Sequence, residues 1–274
     1  MTNLQASETF AAVGAGLSAT AAVGTGAVSG VSSSSSNFGG GVSLAYDVSN
    51  GSYTVRAGGA SMSFAAADRH DFQSNEILSI YEKQVGNRSD QLVLFNPGSG
   101  NTQLALTYVS YGAWQTIVNT ASSVDFDQQF FVYGIRQAAN APSTGSGSYA
   151  TRVDGFWTGS AGLYSLSGTS SFTADFGAMT VATNLNLTGT DILDNSAVPA
   201  TRSLGQFNGT GTIAALGGGF SGSFQHQGTD AGGTTYSGGF NGAFFGPTGS
   251  EMGYTFRLTG SNGAAVGAVV GKAN

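Results

Sequence analysis

Three observations predict an all-β chain. Apolar or aromatic residues alternate with small or polar ones along most of the sequence, and turn residues interrupt them at intervals of about 8–12 residues. Nowhere does a period of 3.6 residues persist, so helix content should be small. The 44 glycines of the 274 residues are unevenly spread, 16 in residues 1–144 and 28 in 145–274, while charged residues fall from 14 to 10. That step predicts two units: a β-rich domain at 1–144, and an eight-stranded antiparallel β-barrel at 145–274. Small, turn-forming residues at 138–147 would join them.

Taken in order, Phe10 to Val31 is uncharged but made mostly of Ala, Gly, Ser, Thr and Val, with Glu8 before it. It lacks the basic start and the Leu/Ile/Phe block of a signal or membrane segment, and reads as an extended lead-in strand. Ser32–Ser36 reads as a flexible loop. Short strands follow at 41–46, 52–56 and 61–64, with a helical turn within 65–75. Longer strands are expected at 77–85, 91–95, 104–111 and 129–135. The barrel strands are expected at about 148–157, 162–175, 178–188, 203–214, 217–226, 234–246, 250–260 and 262–271. From Tyr236 one face reads Tyr236, Gly238, Phe240, Gly242, Phe244, and it continues as Met252, Tyr254, Phe256, Leu258. Ala264, Val266, Ala268 and Val270 read as the same phase. The opposite face, with Glu251, Thr255, Arg257 and Thr259, reads as wet. Glycine beside rings on one face suits a tightly curved small barrel whose interior is filled by side chains.

Composition narrows the function classes. Nine Lys and Arg, a net charge of −6 and a pI near 4.6 argue against a nucleic-acid partner. No cysteine is present, which removes disulfides, thiolate metal sites and a cysteine nucleophile. Two histidines leave no room for a multi-histidine metal site, and neither a nucleophile elbow nor a phosphate loop is found. Asp125 with Asp127, and Asp191 with Asp194, fall short of the five or more oxygens of a calcium loop. An integral outer-membrane barrel is disfavoured by the polar residues opposite the Phe/Gly rows. No catalytic motif is found, and the chain reads as non-enzymatic.

The C-terminal block Gly238-Gly-Phe-Asn-Gly-Ala-Phe-Phe-Gly-Pro-Thr-Gly-Ser-Glu-Met-Gly-Tyr-Thr-Phe256 leads into Ala264-Ala-Val-Gly-Ala-Val-Val-Gly-Lys272. It resembles the barrel ending of the transferrin-binding protein B family, with its glycine-aromatic strand, Gly-Pro turn and carboxylate heading the next strand. Ser171-Phe-Thr-Ala-Asp-Phe-Gly-Ala-Met-Thr-Val181 is similar to a hairpin of that family, and Gly147-Ser-Tyr-Ala-Thr-Arg-Val-Asp-Gly155 to its first barrel strand. Tyr254 stands where the family usually has glycine. The resemblance covers about 145–272 and implies a single lobe, in which a handle-like sandwich precedes the barrel. It implies a surface or secreted protein of a Gram-negative bacterium, associated with the outer membrane without spanning it. The partner would be a host or environmental protein, or an iron source such as haem. The alternative is a structural or adhesive surface protein without a small-molecule ligand.

The candidate contacts lie in the first half. Ala67-Asp-Arg-His-Asp71 is the most polar cluster, offering Arg69 and, in His70, an imidazole suited to haem iron or to a protein surface. Val109-Ser-Tyr-Gly-Ala-Trp114 places Tyr111 and Trp114 around a glycine that reads as a turn, as anchors at a loop tip. Loops 65–75 and 108–115 are thus the expected contact regions. His226 closes an apolar face and reads as a barrel-rim residue. Phe156-Trp157 would plug the barrel or face the handle.

Overall fold

The computed structural model describes residues 4–137, 144–194, 196–215 and 217–274, so most of the expected linker at 138–147 lies outside the described residues. The first nine strands form one antiparallel sheet: β1 (Glu8–Ala22), β2 (Val28–Ser36), β3 (Val42–Asp47), β4 (Ser52–Ala57), β5 (Ala60–Phe64), β6 (Leu78–Val85), β7 (Arg88–Phe95), β8 (Val109–Asn119) and β9 (Ser123–Gly134). Their order is β5-β4-β3-β1-β9-β8-β7-β6, with β2 also on β1. The next eight close on themselves: β10 (Ser146–Gly159), β11 (Gly162–Asp175), β12 (Thr180–Asp191), β13 (Thr201–Ile213), β14 (Gly219–His226), β15 (Ser237–Phe245), β16 (Glu251–Gly260) and β17 (Gly263–Ala273). The chain is all-β, an eight-stranded antiparallel barrel preceded by a β-rich handle.

Rings fill the barrel lumen. Trp157, Phe172, Phe207, Phe240, Tyr254 and Phe256 are all essentially inaccessible. Gly267 of β17 faces Phe256 of β16 in register, and a Cβ there would stand 2.5 Å from Phe256 Cζ. The absent side chain is what lets the ring lie across the wall. One barrel end is sealed by polar groups: Asp230 holds Arg202 at 2.5 Å and accepts from the amides of Gly232 and Thr234. Trp157 Nε1 donates to Tyr236 Oη at 2.8 Å beneath it. His226 stacks on Phe207 at 4.3 Å, at that same end.

The handle nearly closes too. Its own core holds Phe10, Leu44, Val55, Phe64, Leu92, Trp114, Phe131 and Tyr133. The gap between β5 and β6 is spanned by the bridge Arg69↔Tyr81 and by Lys83 Nζ on the Ser63 carbonyl, at 3.2 Å. Its other face, on β1, β8 and β9, packs against the outside of β10 and β15–β17, burying Val13, Phe130 and Val132 against Phe156, Ala243, Val266 and Val270. Phe126 stacks on Phe156 at 4.8 Å across this interface. Phe156 therefore faces the handle while its neighbour Trp157 plugs the barrel, as alternation along one strand requires.

Four expectations need correction. Ser32–Ser36 is not a loop but the end of β2, paired residue by residue with Gly14–Ser18. Gly112 is not a turn: it lies mid-strand in β8, where a Cβ would stand 2.7 Å from Phe131 Cε2, so the glycine admits a ring from β9. Strand β8 accordingly begins at Val109 and runs to Asn119, not 104–111, and β9 begins already at Ser123. The outer face of β16 is not wet along its length. Glu251 and Thr255 are 1% exposed beneath the handle, while Ala264, Val266, Ala268 and Val270 face outward against it, not into the lumen.

Candidate partner-binding surface

The chain between β5 and β6 is short of regular structure yet tightly tied. Ala65 N donates to Asp68 Oδ2 at 2.8 Å, setting a 3-10 turn over Ala66–Asp68, which answers the expected helical turn. His70 N then donates to Ile80 O, and Ser74 N to His70 O, at 2.8 and 2.9 Å. Asn75 Oδ1 accepts from the amides of Ile77 and Leu78, closing the segment as an Asx turn onto β6. Between these anchors Phe72 stands fully exposed. Charged pairs lie along the same segment and on β6: Arg69 Nη1 pairs with Asp71 Oδ1 at 2.8 Å, Lys83 Nζ lies 3.9 Å from Asp68 Oδ2, and His70 Nε2 lies 3.9 Å from Glu82 Oε2. A bare aromatic on a pinned loop that also carries charges of both signs offers an apolar anchor with little ordering cost on binding.

Arg69 and His70 thus share one exposed rim. Tyr111 and Trp114 do not join it. Both lie in strand β8, are 3% and 5% exposed, and point to opposite faces. Tyr111 stacks on Phe95 at 5.0 Å and donates its hydroxyl to Asp154 Oδ2 at 2.5 Å, in the seam with the barrel. Burial pushes both the Tyr111 hydroxyl and the Asp154 carboxyl upward, Arg152 notwithstanding. Trp114 points into the handle, where Nε1 donates to Asp90 Oδ1 at 3.0 Å. The rim residue that sequence reasoning passed over is Phe72. Its signal was faint: a lone phenylalanine in a segment with no alternation to assign it to a face.

At the seam between handle and barrel one carboxylate gathers three handle amides. Glu251, at the head of β16, accepts from the amides of Thr107, Tyr108 and Val109 at 2.7, 2.7 and 3.0 Å. Lys272 Nζ donates to the Ala105 carbonyl at 3.1 Å beside it. The handle is thereby tied directly to the barrel. Among the described residues no group of three or more His, Asp or Glu side chains could hold a metal ion, and Asp191 and Asp194 instead accept amides within their own loop. Among the described residues no helix is long and apolar enough to cross a membrane.

No curated protein matches the sequence. Among solved structures, a double mutant of transferrin-binding protein B from Haemophilus parasuis Hp5 superposes with a TM-score of 0.53 at 18% identity, covering 94% of this chain and 44% of that one. A single mutant of the same protein gives 0.52 at 18%, covering 94% and 45%. Intact Ap-TbpB, with N and C lobes, gives 0.52 at 17%, covering 94% and 46%. The chain therefore spans less than half the length of these proteins, and the likeness concerns the fold. A family model described as the C-lobe and N-lobe beta barrels of Tf-binding protein B matches residues 108–273, from the start of β8 to the end of β17. That stretch holds the closed barrel, the glutamate that grips the handle, and the two handle strands packed on the barrel wall, and on it the chain belongs to the transferrin-binding protein B β-barrel family.

Proposed function

We propose that this chain is a non-enzymatic binding protein of a bacterial cell surface, attached or released, that captures an iron-carrying host or environmental protein. The observation that carries this reading is the family match over 108–273, since the family and the Haemophilus parasuis relative are named for binding transferrin. The barrel serves as scaffold, because its lumen is filled with rings and its outer wall is partly spent on the handle. Contact falls to the rim of Arg69, His70 and Phe72, where an exposed ring shares its segment with charges of both signs. A protein partner suits this rim better than haem does. His70 Nδ1 is buried, and Nε2 has Glu82 near it. Axial ligation would need a clear nitrogen over a flat apolar slot.

Surface plasmon resonance against a panel of iron carriers, transferrin included, tests the reading. Saturable binding that weakens in Phe72→Ala supports it, and absence of binding to every carrier refutes the choice of partner. A haem titration read at the Soret band runs beside it. A spectral change lost in His70→Ala would move the function to haem.

A further inference from the structure

The handle's interior changes character part-way along. Near its barrel-gripping end the inward residues are apolar: Phe10 and Ala12 on β1, Leu92 and Leu94 on β7, Phe131 and Tyr133 on β9. Beyond Trp114 they turn polar together. Register sets Ser18 opposite Asp127, Gly16 opposite Gln129, Thr116 opposite Asp127, and Asp90 opposite Thr116. A face serving only as core would continue apolar at this level on every strand. These residues enclose a cleft of about 390 Å³, flanked by β2 and the turn at Gly58, which falls in the size range of small-molecule sites.

The floor of the cleft is preformed. Asp90, 1% exposed, takes Arg88 through Nε at 2.6 Å and Nη2 at 2.8 Å, Thr116 Oγ1 at 2.7 Å and Trp114 Nε1 at 3.0 Å. Arg88 is thus locked in place with its charge neutralised. The walls hold capacity to spare. The Asp127 carboxylate accepts no hydrogen bond from any described residue, although burial and Asp125 raise its pKa. Gln129 reaches over β1 where Gly16 leaves room, since a Cβ there would stand 2.8 Å from its Oε1 and 2.9 Å from Ser34 Oγ. Ser32 and Ser34 point to the same side, paired with Ser18 and Gly16.

The open Asp127 carboxylate, the Gln129 amide beyond its bond to the Phe130 carbonyl, and the mutually bonded Ser18 and Ser32 hydroxyls keep spare valences around a neutralised arginine. Together these groups suit neither a free anion nor an apolar molecule. They suit vicinal hydroxyls, each able to donate to Asp127 while accepting from an amide, a serine or Arg88. We propose that this cleft binds a sugar ring, with Asp127 and Gln129 as the principal hydrogen-bonding residues. The source is a free sugar or a glycan carried on a protein.

The test is saturation-transfer NMR on the full chain with glucose, galactose, mannose and N-acetylglucosamine, up to about 50 mM, where a millimolar Kd is saturated. A glycoprotein and its deglycosylated form are run beside them. The expected result is saturable transfer from at least one sugar, weakened about tenfold in Asp127→Asn and in Gln129→Ala. Both variants should keep the wild-type circular dichroism and urea midpoint, because Asp127 is largely exposed and Gln129 only half-buried. Retention of the glycoprotein that is lost on deglycosylation assigns the source as a glycan, and free-sugar binding alone assigns a soluble ligand. No transfer from any sugar or glycoprotein overturns the proposal, as does sugar binding indifferent to Asp127→Asn. Spermidine binding through Asp127 with no sugar response would mark a cation site instead and overturns it equally. Phe72→Ala should leave sugar binding unchanged, which separates this cleft from the rim.

Discussion

Replacing Glu251 by glutamine removes one charge and changes almost no volume, so its effect isolates the seam between handle and barrel. In the native chain Oε2 accepts from the Tyr108 and Val109 amides and Oε1 from Thr107. A glutamine amide group must place its NH2 against at least one of these donors, since none of the three can turn away from the carboxylate without breaking the chain path into β8. At least one amide then loses its acceptor beside a side chain that is 1% exposed. Each unpaired buried donor costs about 1–3 kcal/mol, and each surviving bond loses its charge assistance. The sum is a destabilisation of about 3–5 kcal/mol for Glu251→Gln. Urea denaturation followed by circular dichroism measures it, and hydrogen exchange at residues 104–109 localises it, with protection there collapsing first. A loss below about 1 kcal/mol, with protection at Tyr108 and Val109 retained, would refute the view that this carboxylate couples the two units.

Phe72→Ala should leave stability within about 0.5 kcal/mol, because the ring is fully exposed, while weakening partner binding by about 2 kcal/mol, some thirtyfold, in surface plasmon resonance. Gly267→Ala should cost about 3 kcal/mol in urea denaturation, because the new methyl meets the Asp154 carbonyl and the Phe256 ring, and a backbone carbonyl cannot move aside. Asp230 bears on pH. Burial alone would raise its carboxyl, but the Thr234 amide, Arg202 and Asn262 outweigh that and hold it well below the usual carboxylate range. Its stabilisation is therefore fully present above the unfolded-state value near 4 and is lost as pH falls toward the folded-state value. The gap in urea midpoint between the wild type and Asp230→Asn should be constant from pH 5 to 7 and shrink steadily below about pH 4. A gap that widens on acidification would reverse the assigned sign.

The barrel was largely legible because its lumen imposes one strict rule on eight strands. Phe172, Phe207, Phe240 and Phe256 must all point inward, and glycines must stand where those rings cross the wall. Strand limits follow from that alternation to within about three residues. The handle was less legible, since its strands serve two packed faces at once. Gly112 mimics a turn until Phe131 is known to lie over it, and five consecutive serines mimic a loop until β1 is known to pair with them. In both cases the deciding partner is distant in sequence or has too little side chain to betray it.

The same limit governs the functional surfaces. Alternation tells a strand that its faces differ, but not what lies against each of them. Ala264, Val266, Ala268 and Val270 are as apolar as lumen residues and yet face the handle, while Glu251 and Thr255 are polar and lie just as deep. Tyr111 and Trp114 misled in the converse way, for an aromatic beside glycine is equally a loop anchor or a core ring, and here both are core. What distinguishes a site from a core is a departure from the pattern its neighbours obey. At the rim the departure is Phe72, bare where aromatics are otherwise covered. In the cleft it is Ser18, Asp127 and Gln129, polar on strands whose inward face is elsewhere apolar. Such departures become visible only once registers are known, because each is defined by what stands opposite.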